Sequence, residues 1–315
     1  MSSHQQIPGR NKLWLTFELK DRGLTELRIR EMVSSSQLIR VRRGCYADGP
    51  WWRGLVDDDA RAVQILHAHL RAMETVGVLD GAYSHTSAAR VHGVYLWRPD
   101  PLIHISRPSS GSPTSHAADV RSYKAMVPPS EVTWNSGLPV TSLERTVVDC
   151  SRIFAYQSAL IAAESSFWMG ADRELVDSVL SRMRGFKGIA RARQVMANAS
   201  SLSESPGETL ALDSIRAMRI PVPEQQLRVE TRNGPHRLDF AWREHKVALE
   251  FDGRSKYFDY APTNEVLFQE RRREKALIEE GWTIIRIEWA DLFREVELRE
   301  RIMRALLKNR MGMSA

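Results

Sequence analysis

Two carboxylates near the C-terminal end of the chain, Asp239 and Glu250, lie in runs that the local pattern pairs as a β-hairpin. Leu238, Phe240 and Trp242 form one alternating apolar row and Val247, Leu249 and Phe251 another, with the polar reversal at Arg243 to Lys246 between them. A loop of two or four residues centred there pairs position 240 with 249 and sets Asp239 opposite Glu250, on the face away from the apolar rows. Like charges so opposed, with Cβ atoms roughly 5 Å apart, destabilise a strand pair. Mg2+ or Mn2+ between them would turn that penalty into a binding site. A divalent ion held by carboxylates on rigid strands polarises a phosphate and lowers the pKa of an attacking water, which is the chemistry of phosphodiester hydrolysis. Glu208, at the start of the preceding helix, is a candidate third ligand; as a first-turn Glu favouring the helix dipole it has an equally good structural reading.

The elements that must position these acids follow from periodicity and punctuation. A helix is predicted over Glu208–Met218, entered through Pro206 and Gly207, then the hairpin. A second helix runs from about Asn264 to Ile278 and is stopped by Gly281, followed by a strand over Thr283–Trp289 and a closing helix over Leu292–Leu307. This order predicts a small α/β domain with a central mixed sheet. On the middle helix Arg273 shares a face with Glu270, Val266 and Leu277, where a cation could hold a scissile phosphate; Arg271, Arg272, Glu274 and Lys275 read as a solvated helix surface.

The polar break at 198–207 marks the expected boundary of that domain. At the other end, residues 11–48 read helix, turn, helix and short basic hairpin, a winged-helix pattern. Thr25 starts its second helix, from which Arg28 and Arg30 project, and Arg40, Arg42 and Arg43 line a wing before Gly44 that suits a phosphate backbone. The competing reading is a small cap with a solvated basic edge. The middle segment, 57–198, reads as an α/β scaffold whose His67, His69, His85, His92 and His104 follow no metal-ligand spacing and are expected to be satisfied structural histidines.

With 315 residues and 43% hydrophobic composition, the chain can bury more than one core. No apolar stretch is long enough for a spanning helix and no charged-then-apolar leader is seen, so a cytoplasmic location without membrane contact is expected. Cys45 and Cys150 have no C-x-x-C spacing and suit neither a disulfide framework nor a zinc site. A net charge of +6 is compatible with a polyanionic partner and decides nothing alone.

Asp239, Glu250-Phe-Asp-Gly253, Lys256-Tyr257, Glu270 to Glu274 and Gly281 to Trp289 together resemble the PD-(D/E)XK nuclease superfamily, and within it the very-short-patch repair endonuclease branch. That resemblance covers about the last third of the chain. It implies a restriction-endonuclease-like mixed sheet flanked by helices, Mg2+ or Mn2+ on Asp239, Glu250, the Phe251 carbonyl and Glu208, and hydrolysis of double-stranded DNA. Where the superfamily often carries Lys two residues after the Glu, this chain has Asp252; Lys256, four residues later, is the candidate for orienting the water.

Leu38 to Ala47, Tyr83 to Gly93 and Gly137 to Asp149 are similar to AbiEi-type antitoxins, transcriptional regulators of type IV toxin-antitoxin systems. This implies operator binding through Arg28, Arg30, Arg40, Arg42 and Arg43, autorepression, and a cognate nucleotidyltransferase toxin as partner. The expected fold class is therefore α/β, an α+β multidomain chain: winged helix over 1–50, antitoxin-like α/β scaffold over 51–200, nuclease-like domain over 201–315. Two functions remain open: a metal-dependent DNA endonuclease, and a non-catalytic antitoxin or autorepressor whose nuclease fold is degenerate, the latter supported by Asp252.

Overall fold

The computed structural model describes residues 12–75, 77, 79–108, 118–253 and 264–312. The chain is mixed α/β and divides into two compact units, Met1–Ile153 with Asp172–Ile189, and Phe154–Ala171 with Ala190–Ala315.

The first unit begins with β1 (Leu13–Leu15), α1 (Thr16–Asp21), α2 (Glu26–Ser34), β2 (Leu38–Arg42) and β3 (Cys45–Asp48), the strands forming a sheet of order β1-β3-β2. Thr25 caps α2 as its sequence position predicts, accepting the Arg28 backbone N–H at 3.2 Å. Trp14, Leu19, Ile29 and Leu38 are buried together beneath α2. Next come α3 (Gly49–Gly54), α4 (Asp58–Glu74), β4 (Ala82–Tyr83), α5 (His85–His92), β5 (Ile103–Arg107), β6 (Val120–Lys124), β7 (Val132–Asn135), β8 (Leu138–Thr141) and α6 (Leu143–Ile153). The five strands make a second sheet of order β6-β5-β4-β8-β7, with β5–β6 and β4–β8 parallel.

The expected division near residue 50 is corrected by α4. Its Ala68 is buried in the core of the three-stranded sheet with Leu13, Leu15, Cys45 and Ala47, while its Leu66 is buried in the five-stranded sheet's core with Tyr83, Ile105 and Val140. One helix thus serves two cores, and the segments fold as one unit.

The boundary near residue 200 moves for a similar reason. Helix α7 (Tyr156–Trp168) belongs to the second unit, α8 (Arg173–Arg182) returns to the first, and α9 (Ile189–Asn198) leads back. In α7, Leu160 to Ala163 are wholly buried, Glu164 accepts the Ser200 N–H at 2.8 Å, and the Tyr156 hydroxyl lies between Asn198 and Asp213 at 2.9 and 3.1 Å. The Tyr156–Asp213 bond ties α7, expected in the middle scaffold, to α10 (Pro206–Ala217). The rest of the second unit is β9 (Glu224–Thr231), β10 (Gly234–Trp242), β11 (Val247–Phe251), α11 (Asn264–Glu279), β12 (Thr283–Ile287) and a closing helix α12 (Glu295–Gly312). Its sheet order is β12-β11-β10-β9, with β11–β12 parallel and the other pairs antiparallel.

Among the expected structural histidines, His69 and His104 are buried and bonded, His69 Nδ1 lying 2.8 Å from the Tyr83 hydroxyl and His104 Nε2 2.8 Å from Asp100. His85 departs from the expectation: Nδ1 meets Ser84 at 2.9 Å, but Nε2 is buried with no partner among the described residues. Burial pushes His69 and His85 each down from 6.5 to about 4. Both rings are neutral when folded and bind more protons when unfolded, so their contribution is fully present above pH 6.5 and is lost as pH falls from there through 4. The melting temperature should drop across that window, and less steeply in His69→Gln; equal slopes in the two proteins would contradict this account.

Candidate functional site

In the second unit, β10 and β11 pair with Phe240 opposite Leu249, Ala241 opposite Ala248 and Trp242 opposite Val247, the expected register. The reversal is a 3-10 turn at Arg243–His245, closed by Lys246 in the left-handed region at φ 46°. Alternation predicts one buried face, yet Ala241 and Ala248 are also buried, with Leu277 of α11 and Trp282. The sheet is covered on both sides, and the small side chains let α11 lie close.

Asp239 and Glu250 lie at the open end of the hairpin, just beyond the Phe240–Leu249 pair. The β9–β10 ladder is irregular there: Leu238 pairs with Leu227 and Phe240 with Gln225, while Gln226 between them has φ 53°. Asp239 accepts the Phe251 backbone N–H on Oδ2 at 3.0 Å. Glu250 accepts from Arg273 Nη2 at 2.7 Å, and the same nitrogen donates to the Arg237 carbonyl at 2.7 Å. The Glu250 side chain is only 18% exposed. Burial raises its pKa, Arg273 opposes that shift, and the charge of Asp239 adds to it.

The acid pair therefore has a counter-charge supplied by the protein, in Arg273 beside Glu250, where the sequence led to the expectation of a divalent ion. Arg273, expected to face a phosphate, is engaged with Glu250. Glu208 is turned back on its own helix start: it accepts from the Glu204 N–H at 3.0 Å, the Ser205 hydroxyl at 2.8 Å and Gln226 Nε2 at 3.0 Å. Ser205 in turn accepts the Glu208 N–H at 3.2 Å, a reciprocal cap that the Ser-Pro-Gly-Glu spacing could have signalled. Burial raises the pKa of Glu208, hydrogen bonding to the Glu204 N–H opposes it, and the Asp239 charge raises it further. The three acids thus sense one another, through Asp239.

Gly207 is the close approach that brings α10 to this end of the sheet, since a Cβ there would lie 1.9 Å from the Phe251 ring. That ring also meets Trp289 edge-on at 5.2 Å. Lys256 and the Glu270 side chain lie outside the described residues. Among the described residues no three His, Cys, Asp or Glu side chains form a metal-holding group. As arranged, with Glu250 on a guanidinium and Glu208 in its cap, Glu208, Asp239, Glu250 and the Phe251 carbonyl do not fit Mg2+ or Mn2+.

In the first unit the expected DNA-facing arginines separate. Arg40 and Arg43 are exposed and form no ion pair among the described residues; Arg30 is exposed, and nearby Glu26 is held below the usual carboxylate range chiefly by its hydrogen bond and ion pair with Lys20, with Arg30 a lesser contributor. Arg28 pairs with Glu31 at 3.1 Å on an exposed helix face. Arg42 is corrected: its fork grips both oxygens of Asp119 at 2.8 Å with only 12% of the side chain exposed. The irregularity between Arg40 and Arg42 in the β2–β3 register separates their environments.

No model of a known family matches the sequence. The uncharacterized proteins MT2308 and Rv2248, from two strains of Mycobacterium tuberculosis, are each 28% identical over 180 residues, covering 56% of this chain and 65% of theirs. The match thus spans less than two thirds of those relatives. The crystal structure of the RV2827C protein from Mycobacterium tuberculosis aligns with 70% of this chain and 83% of its own, at 16% identity and a TM-score of 0.42. Among the described residues no helix is long and apolar enough to cross a membrane.

Ser205→Ala removes the cap that holds Glu208 and should cost about 1 kcal/mol in denaturant unfolding. An unaltered midpoint would show that this cap does not matter to the second unit.

Proposed function

We propose that this chain is a DNA-binding protein of the antitoxin or autorepressor kind, in which the N-terminal helices and hairpin act as a winged helix and the C-terminal unit keeps a nuclease-like fold without cleaving. The observation that carries it is the pair of exposed cations, Arg40 within β2 and Arg43 in the β2–β3 turn, on a hairpin fastened by the Arg42–Asp119 ion pair. Exposed guanidiniums with no ion pair among the described residues suit phosphate contacts, which position a protein on duplex DNA without reading sequence. Arg28 and Arg30 on α2 would add contacts beside it. The Glu250–Arg273 pair supports the non-catalytic form, and a nucleotidyltransferase toxin belongs to this reading as a partner.

A second reading, a Mg2+- or Mn2+-dependent endonuclease, is favoured by the order α10, β9, β10, β11, α11, β12, which brings Glu208, Asp239 and Glu250 within electrostatic reach of each other. It requires Glu250 to part from Arg273.

Duplex binding measured in EDTA across a salt series should weaken for Arg40→Ala with Arg43→Ala on every sequence tried, and the slope of log K against log salt should shrink by about 2. An unchanged slope would remove the hairpin as a phosphate reader. Incubated with duplex DNA and Mg2+ or Mn2+, the wild type should leave it intact. Cleavage abolished by Asp239→Ala with Glu250→Ala would instead establish the endonuclease.

A further inference from the structure

The open end of the β10–β11 hairpin presents a problem in charge that the DNA-binding reading does not touch. Asp239 and Glu250 stand at adjoining strand positions, Glu208 lies near enough to feel Asp239, and Glu250 is largely withdrawn from water. A buried carboxylate needs a partner that both neutralises it and occupies its lone pairs. Arg273 does this from α11, and it is itself anchored by donating to the Arg237 carbonyl at 2.7 Å. Arg286, next to Glu250 across the parallel pair, is drawn off by Glu274 at 3.2 Å. Among the described residues Arg273 is thus the cation in hydrogen-bond contact with Glu250.

We propose that Arg273 is a tethered counter-ion that closes the Asp239–Glu250 pair to divalent cations, so that the pair accepts one only after this guanidinium is removed. A guanidinium and a small divalent ion compete for the same carboxylate oxygens, and a side chain tethered on a helix holds its place at a high effective concentration. The fork also differs from an ion in what it can release: it leaves only by rotating out on its own stem, toward the solvent that already reaches 39% of it.

The inference concerns cation binding and contains no DNA, so it and the DNA-binding reading can fail separately. The test is calorimetric titration of the full chain with Mn2+ alone, with folding of each variant checked by circular dichroism. The wild type should show no saturable heat that depends on Glu250, so Glu250→Gln should leave its trace unchanged. Arg273→Gln should gain saturable Mn2+ binding, at least tenfold tighter than any in the wild type, and lose it when Glu250→Gln is added. Arg273→Lys, which keeps a cation on the helix and tests the same point should Arg273→Gln not fold, should bind more weakly than Arg273→Gln and gain at least a detectable Glu250-dependent heat through loss of the fork. Wild-type binding abolished by Glu250→Gln would overturn the proposal, as would folded Arg273 variants that gain no Mn2+ binding.

Discussion

A carboxylate withdrawn from water at the mouth of a hairpin requires compensation, and here it comes from a helix that follows it in the chain. The Glu250–Arg273 bond crosses from β11 to α11 and helps set where that helix lies on the sheet. Beside it Glu274 meets Arg286 of β12, and at the far end Lys246 donates to the Glu280 carbonyl at 2.7 Å. Between these polar ties Ala276 and Leu277 are buried against a sheet surface made shallow by Ala241 and Ala248. Apolar burial supplies the non-directional attraction, and the ion pairs select one placement of the helix along the strands. Gly281, at φ 85°, then turns the chain into β12, whose parallel pairing with β11 completes the sheet.

The first unit uses the same division of labour. Leu66 and Ala68, on one helix, are buried in different cores, so neither sheet has its own private support. Arg71 of that helix bonds to the Leu13 carbonyl and Glu18, and Arg42 of the hairpin to Asp119 before β6. Bidentate arginine contacts fix direction as well as distance. The hairpin is therefore held from behind while Arg40 and Arg43 face water, an arrangement in which rigidity and exposed charge come from neighbouring residues.

What the sequence disclosed was local. Strand alternation and the polar reversal at Arg243–Lys246 contain the hairpin register, because pairing in a short hairpin follows from which residues must share a face. Thr25 capping α2 and Gly281 ending α11 are likewise decided within a few positions. The Ser205–Glu208 cap is equally local, joining residues three positions apart, and it gives Glu208 a structural task at the start of its own helix.

Counter-charges were illegible because they depend on contacts that no local pattern encodes. Arg42 and Asp119 are 77 positions apart, and Glu250 and Arg273 are 23 apart with a helix start between them. Alternation put Arg40 and Arg42 on one face of the strand; the irregular register between them gives one to water and the other to Asp119. An arginine in a sequence is a donor seeking an acceptor, and whether it finds a phosphate or a carboxylate is settled by tertiary packing. The same holds for opposed acids: their repulsion, deduced from register alone, argues for a cation nearby and leaves its identity to the elements that pack above them.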